Sequence, residues 1–560
     1  MGTTHTTSKY VRSQASTTAM WRKCAPLAIV PWAAMVLTVQ AAESSLSPQI
    51  RVAGHAYQAK TGQEDWDKGA SLELQPSLDY RYVGPWLRTD AQIEHAWYGY
   101  KDSQRESSDF TSFTLRNNAT FWQKQLEINV GAARNYQSRD TRNSRFADAV
   151  TSADSMAQLD QRNADVRWQQ RHLDWFNSTV TAGISSVTTG AASLIAGQSQ
   201  NLNAFDNETK QAGLSLGSRS RSTQFFWQAD GQYQNTARQE SADLRTRQGS
   251  FTLGTQLYDH LNVIGRGSYE QNGFALPPKA GEPQDFADSR SLGAGLEWQF
   301  DAYSYWNIST NKIRTPTTVD RYIATEFRWR PSIRTEASGQ LDKRYYGRSA
   351  QLDLTYRLRH LRINMNVSDD VNSLLGFAIS GQQVGNYVCP SGVNFDINQC
   401  FLLPSSNFSP NAGQQLLRIT LPGQASLSEA IVLRRGAQLG IDYQFNRLTS
   451  SLQFSRMRDL YVEQNQLSYL QTLSMQLGWR LARRDRLSLN SSLSKQWNAN
   501  SAFAASNNAG DQWLHTLGWT HSVNRSLDIE TSLRRVDADY IENAFDYAEN
   551  RLSLSALYRF

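Results

Sequence analysis

From about residue 50 to its last residue the chain runs in segments of 10–14 residues whose side chains alternate between apolar and polar. In Gly347–Arg359, Leu352, Leu354, Tyr356 and Leu358 share one parity, and Gln351, Asp353, Thr355, Arg357 and Arg359 share the other. In the next segment Leu361, Ile363, Met365 and Val367 oppose Arg362, Asn364, Asn366 and Ser368. The last segment sets Leu552, Leu554, Ala556, Tyr558 and Phe560 against Arg551, Ser553, Ser555, Leu557 and Arg559. Successive side chains of a strand point to opposite faces, so each segment predicts a strand with one apolar and one polar face. About 24 such segments (22–26) fit between Arg51 and Phe560. Their lengths suit a tilted membrane-crossing strand, which takes about 9–11 residues.

The connections alternate in length. Short links, such as those around Gly84, Lys124, His172, His260, Asp301, His360, Arg447, Asp485 and Arg525, separate longer ones rich in Gly, Asn, Asp, Ser and Pro. The longer links include 99–110, 138–156, 188–208, 235–245, 272–289, 498–511 and 538–547, and the longest is 372–430. Tight periplasmic turns and extended extracellular loops have this rhythm. The pattern therefore predicts an all-β chain: a single large transmembrane antiparallel β-barrel over 42–560, with both termini in the periplasm. Its partner would be outer-membrane lipid. Aromatics near segment ends, among them Trp86, Trp122, Trp168, Tyr258, Phe300, Tyr443 and Phe445, would sit at the membrane interfaces.

Composition agrees. Aromatic residues make up 11% of the 560-residue chain and charged residues only 19%, against about 25% in a typical globular protein. A polar average is compatible with membrane crossing when each strand spends half its side chains on lipid. Residues 1–42 hold no Asp or Glu; Lys9, Arg12, Arg22 and Lys23 precede a mostly apolar run from Cys24 to Val39. This reads as a secretory signal peptide over 1–41, with translation starting at Met1 or Met20. Its removal leaves 53 basic against 51 acidic residues, so the formal charge falls from +6 to +2. No nucleic-acid partner follows from that balance. Cys389 and Cys400 remain, close together in 372–430. One disulfide is the expectation for a secreted chain, two free thiols the alternative. The apolar stretches Leu374–Ser380 and Phe401–Pro404 suggest that 372–430 folds at or in the barrel mouth.

Candidate chemistry is confined to the lumen. Histidines at 55, 95, 172, 260, 360, 515 and 521 form no metal-ligand spacing, and no phosphate loop or nucleophile elbow appears. The reading is of a non-enzyme with no cofactor. Lumen-facing candidates are Asp353, Arg357, Arg359, Arg362, Asn364, Asp528, Glu530 and Arg534. Such a mixed-charge lining, rich in Asn, Gln and Ser, suits hydrated, neutral or weakly charged solutes. Tyr558 and the terminal Phe560 look like the insertion signal that the β-barrel assembly machinery reads.

Two stretches resemble a known family. Ser71-Leu-Glu-Leu-Gln-Pro-Ser-Leu-Asp-Tyr80, followed by Leu87–Tyr98, resembles the opening hairpin of an outer-membrane family found with exosortase/PEP-CTERM systems. Lys343-Arg-Tyr-Tyr-Gly-Arg-Ser-Ala-Gln-Leu-Asp-Leu-Thr-Tyr-Arg357 is similar to its midpoint signature. The resemblance implies a role beside exopolysaccharide biosynthesis and export genes, with polysaccharide and periplasmic export proteins as partners. It carries over no catalytic residue. The expected function is exopolysaccharide export or surface assembly. A general porin and a structural or adhesive surface barrel are the alternatives.

Overall fold

The computed structural model describes residues 43–560 apart from 63–64, 102–105, 139–147, 171–175, 191–205, 219–223, 239–242, 275–286, 302, 374–382, 391–400, 404–413, 421–430, 462–465, 499–509 and 541–545. The first strands are β1 (Glu43–Thr61), β2 (Asp67–Val83), β3 (Leu87–Lys101), β4 (Ser108–Phe121) and β5 (Leu126–Ser138). A four-residue helix, α1 (Ala149–Ser152), and a 3-10 turn lead into β6 (Met156–Gln170). Next come β7 (Phe176–Thr189), β8 (Asp206–Ser218), β9 (Phe225–Arg238), β10 (Leu244–Tyr258), β11 (Leu261–Phe274) and β12 (Ala287–Gln299). These are followed by β13 (Tyr305–Arg314), β14 (Val319–Ser332), β15 (Thr335–Arg344), β16 (Gly347–Arg357) and β17 (Leu361–Ser373). Three short strands, β18 (Gln383–Pro390), β19 (Phe401–Leu403) and β20 (Gln414–Thr420), form their own antiparallel sheet. The chain ends with β21 (Ile431–Phe445), β22 (Leu448–Tyr461), β23 (Gln466–Arg480), β24 (Asp485–Asn498), β25 (Gly510–Ser522), β26 (Leu527–Tyr540) and β27 (Tyr547–Arg559).

Twenty-four strands make one antiparallel sheet, closed on itself by β1 against β27. The seam runs from Gln49↔Arg559 to Thr61↔Tyr547, and the Phe560 amide donates to the Pro48 carbonyl at 3.1 Å. Both ends of the barrel chain therefore lie at one rim. The faces are those of the alternation. On β27, Leu554 is 57% and Phe560 75% exposed, while Arg551, Ser553 and Ser555 are buried. Large apolar groups outside and polar groups inside invert a water-soluble protein, and they fit a barrel whose outer surface meets lipid. Trp86, Trp122, Trp168, Tyr258, Phe300, Tyr443, Phe445 and Tyr558 are all exposed, and all sit at the rim that carries the termini.

The structure departs from the sequence pattern in two places. The strict alternation of link lengths fails at the rim opposite the termini, where 315–318 and 345–346 are also tight turns. The Thr315 amide donates to the Thr318 carbonyl at 2.9 Å, and Gly347 adopts φ +113°, a region that L side chains rarely enter. Strand β16 stops at Arg357, so Arg359 belongs to the turn before β17 rather than to the wall. Within 372–430, the stretch expected to fold at or in the barrel mouth, the described residues include the three-stranded sheet of β18, β19 and β20. The signal-peptide region and Cys400 lie outside the described residues, as does the side chain of Cys389.

The two faces should respond oppositely to charge. Leu473, exposed at the middle of β23, should cost about 2–4 kcal/mol as Leu473→Arg. Gln476→Arg, on the inner parity of the same strand, should cost well under half as much. Urea-unfolding midpoints in lipid vesicles measure both.

Candidate lumen constriction

The site is built by a loop that turns inward. Between β5 and β6 the chain places Asp148 at the N-cap of α1, where its carboxylate accepts from the Val150 amide at 3.1 Å and the Thr151 amide at 3.3 Å. An N-cap aspartate satisfies helix amides that have no partner within so short a helix. The same carboxylate reaches the opposite side of the barrel seam. Arg551 Nη1 donates to it at 3.0 Å, Arg551 Nη2 and Arg534 Nη1 also contact it, and both arginines lie on facing positions of β26 and β27. Contacts between strands this far apart in the sheet pass only through the interior. Arg551 starts four residues below the upper end of β27, about 13 Å along the strand.

Glu549 completes the network. It is fully buried, with Arg551 Nε at 3.3 Å, Arg534 Nη1 at 3.8 Å and the Tyr547 hydroxyl donating at 2.8 Å. Thr151 Oγ1 bridges α1 to Glu549 at 3.4 Å. Two arginines facing two carboxylates give a neutral cluster, which is what makes burial of four charges tolerable. Burial pulls the Asp148 carboxyl upward, but the Arg534 and Arg551 guanidiniums outweigh it and hold the group well below the usual carboxylate range.

On its other side α1 sits on an aromatic seat. Val150 packs with Tyr57, Ala96 and Tyr98, flanked by Tyr100 and Phe110, and the Tyr100 hydroxyl donates to the Ala149 carbonyl at 2.7 Å. Tyr57 lies flat over Gly69 of the paired strand, where a Cβ would stand 2.5 Å from its ring carbon Cζ. Below this seat His55 bridges the seam, with Ser553 Oγ at 2.8 Å and Glu73 at 2.9 Å. The loop thus spans the inner wall from β26 to β4 and narrows the bore beside the closure seam.

The sequence-derived lumen residues fall in two groups. Arg534 is a member of the network. Asp528 shares its strand and parity and pairs with Arg559 at 2.7 Å, and Glu530 lies between them. Asp353, Arg357, Arg362 and Asn364 line the separate wall of β16 and β17, where Asn366 Nδ2 donates to Asp353 at 2.6 Å and Arg357 faces Arg362. Tyr558 and Phe560 stack edge-to-face outside the barrel, with ring centroids 4.9 Å apart. Asp148, Glu549 and Arg551 were not singled out by sequence reasoning. Arg551 and Glu549 share one parity in the last strand, but nothing periodic marks Asp148.

A second inward feature lies across the barrel. The tight turn between β15 and β16 carries Arg344, whose Nε donates to Glu270 of β11 at 2.9 Å. Tyr345 and Tyr346 pack against Leu244 of β10, Val371 of β17 and Leu433 of β21. The lumen is pinched where these strands meet.

No protein-family model matches the chain, and no curated protein matches it. Among solved structures it is similar to the siderophore receptor PirA from Acinetobacter baumannii. The identity is 9%, over 93% of this chain and 81% of that one, with a TM-score of 0.43. It is also similar to the FrpB iron transporter from Neisseria meningitidis, at 8% identity over 92% and 82% with a TM-score of 0.43. At that distance nothing about iron or siderophores transfers to this chain.

Removing the Asp148 carboxylate should release the loop. Asp148→Ala leaves two buried guanidiniums sharing one carboxylate and should destabilise the barrel by about 3 kcal/mol, the low end of such losses because a third of the Asp148 side chain is open. Thermolysin cleavage at Val150, buried while α1 is seated, should rise with it. A depressed carboxyl contributes stability above its unfolded pKa and loses it only as pH falls through the lower folded value. Wild-type protection should therefore persist at pH 5 and fail only in strong acid.

Proposed function

We propose that the chain is an outer-membrane conduit of a Gram-negative cell for a hydrophilic, polyhydroxylated polymer, acting in export or surface assembly of an exopolysaccharide. The observation that carries the reading is a wide polar bore narrowed by its own wall-braced loop. A 24-strand barrel is larger than the porins, which close at about 16–18 strands, and an unobstructed bore of that size would leak. A loop held by Asp148 between Arg534 and Arg551, resting on tyrosines, supplies obstruction without a separate domain. Tyrosine rings and charged hydrogen-bonding groups are suited to sugar faces and hydroxyls.

The polymer itself rests on the resemblance, and the two resembling stretches coincide with inner braces. Glu73 of the first stretch holds His55 at the seam, and Arg344 to Gly347 of the second form the tip that meets Glu270. On this reading Phe560 serves insertion by the barrel assembly machinery, and periplasmic export proteins meet the rim that carries both termini.

Conductance in a planar bilayer tests it. The mature protein should pass small, flickering current, Asp148→Ala should pass a markedly larger one, and dextran should block the variant. Large, steady current in the wild type, unchanged by Asp148→Ala, would instead indicate a general channel. No current in either form would leave only a surface-structural role.

A further inference from the structure

We propose that the inner face of β9 to β15 holds a pocket for one small, neutral, polyhydroxylated ligand of about the size of a single sugar ring. The proposal deepens the conduit reading by placing a sugar-unit site in its wall, and it rests on that reading for its purpose but not for its geometry.

The pocket is a cavity of about 200 Å³ bounded by seven consecutive strands, room for about seven waters at their liquid volume of about 30 Å³ each. It is closed above and below by inner-face side chains that an open bore would leave in water. Above it, Arg344 pairs with Glu270, and Leu244 is fully buried under Tyr345 and Tyr346. Below it, Phe226 and Ile264 are buried to within 1%, and Asn262 donates to the fully buried Glu297 at 3.4 Å. On β11 the order is Ile264, Arg266, Glu270, so Arg266 sits between floor and roof.

The lining selects the ligand. Arg266 has its Nη2 at 3.7 Å from Glu326 and 3.6 Å from Asp342, while its Nη1 is buried with no hydrogen-bond partner among the described residues. A buried guanidinium nitrogen without an acceptor carries a desolvation cost that a ligand oxygen would relieve. The surrounding carboxylates are already engaged: Asp230 accepts from Ser215 at 2.7 Å, Glu326 from Tyr305 at 2.6 Å and Asp342 from Gln340 at 3.1 Å. An anion would face three carboxylates against one arginine, and a cation would face Arg266 directly. A hydroxyl accepts from the guanidinium and donates to a carboxylate at once, so adjacent hydroxyls on one ring fit both. Asn311, Ser291 and the Tyr322 hydroxyl, with Ser291 and Tyr322 2.8 Å apart, add further donors and acceptors around the cavity.

The test is saturation-transfer NMR and calorimetry of the full mature barrel in a zwitterionic detergent without a sugar headgroup, with glucose as the probe. The expected result is saturable binding at one glucose per barrel. Arg266→Gln and Ser268→Trp, the latter filling the cavity without touching an ion pair, should each weaken it at least tenfold. Heat-modifiable gel mobility confirms that each variant is folded. No saturable binding, equal binding in the folded Ser268→Trp barrel, or preference for phosphate or ammonium over glucose would overturn the proposal. A barrel that binds glucose yet passes no current would keep the pocket and sink the conduit.

Discussion

Hydrocarbon offers no partner to a peptide N–H or C=O, so a strand that crosses it must be paired along both edges. Everything else in this molecule depends on that closure. The antiparallel ladder continues without a free edge through all 24 strands and returns through the thirteen-residue register of β27 on β1. The outer face is then free to be apolar, since lipid asks nothing more of it. Polar chemistry is displaced to the inside, and the interior becomes the place where sequence variation has consequences.

A barrel of this circumference has too much interior for side chains to fill. The chain meets this in two ways. Beside the seam, a loop turns in and is held by a neutral four-charge cluster on one flank and by tyrosines on the other. Across the lumen, the β15–β16 tip draws β10, β11, β17 and β21 together through one ion pair and an apolar cluster. Both devices join strands that are remote in the sheet, so they brace the wall as well as narrowing the bore. Both use arginine, whose planar fork engages a carboxylate with two nitrogens at once.

The barrel was legible in the sequence because its physics is local. Alternation at Leu352–Leu358 or Leu552–Phe560 needs only neighbouring residues to be read, and the strand number followed by counting. The inner and outer parities were legible for the same reason. The constriction was not, because it depends on which strands face each other across the bore. Asp148 lies nearly four hundred residues before Arg534 and carries no periodic signal. The sequence breaks its segments at Tyr346, but nothing in it signals that Tyr345 and Tyr346 pack onto Leu244, Val371 and Leu433 of remote strands. The pocket around Arg266 was invisible for a related reason: each of its strands presents an ordinary polar inner face, and only their convergence makes a site.

Residues 148–155, which carry Asp148 and α1, lie inside the barrel against β26 and β27. Spin labels at Asp154→Cys and Leu533→Cys, both exposed positions, in a chain with Cys389 and Cys400 changed to serine, give that distance by pulsed electron resonance in vesicles. Inward placement of the loop predicts one short, narrow distribution in the otherwise unaltered barrel and a broad, longer one when Asp148→Ala is added. A broad, long distribution in both forms would contradict it.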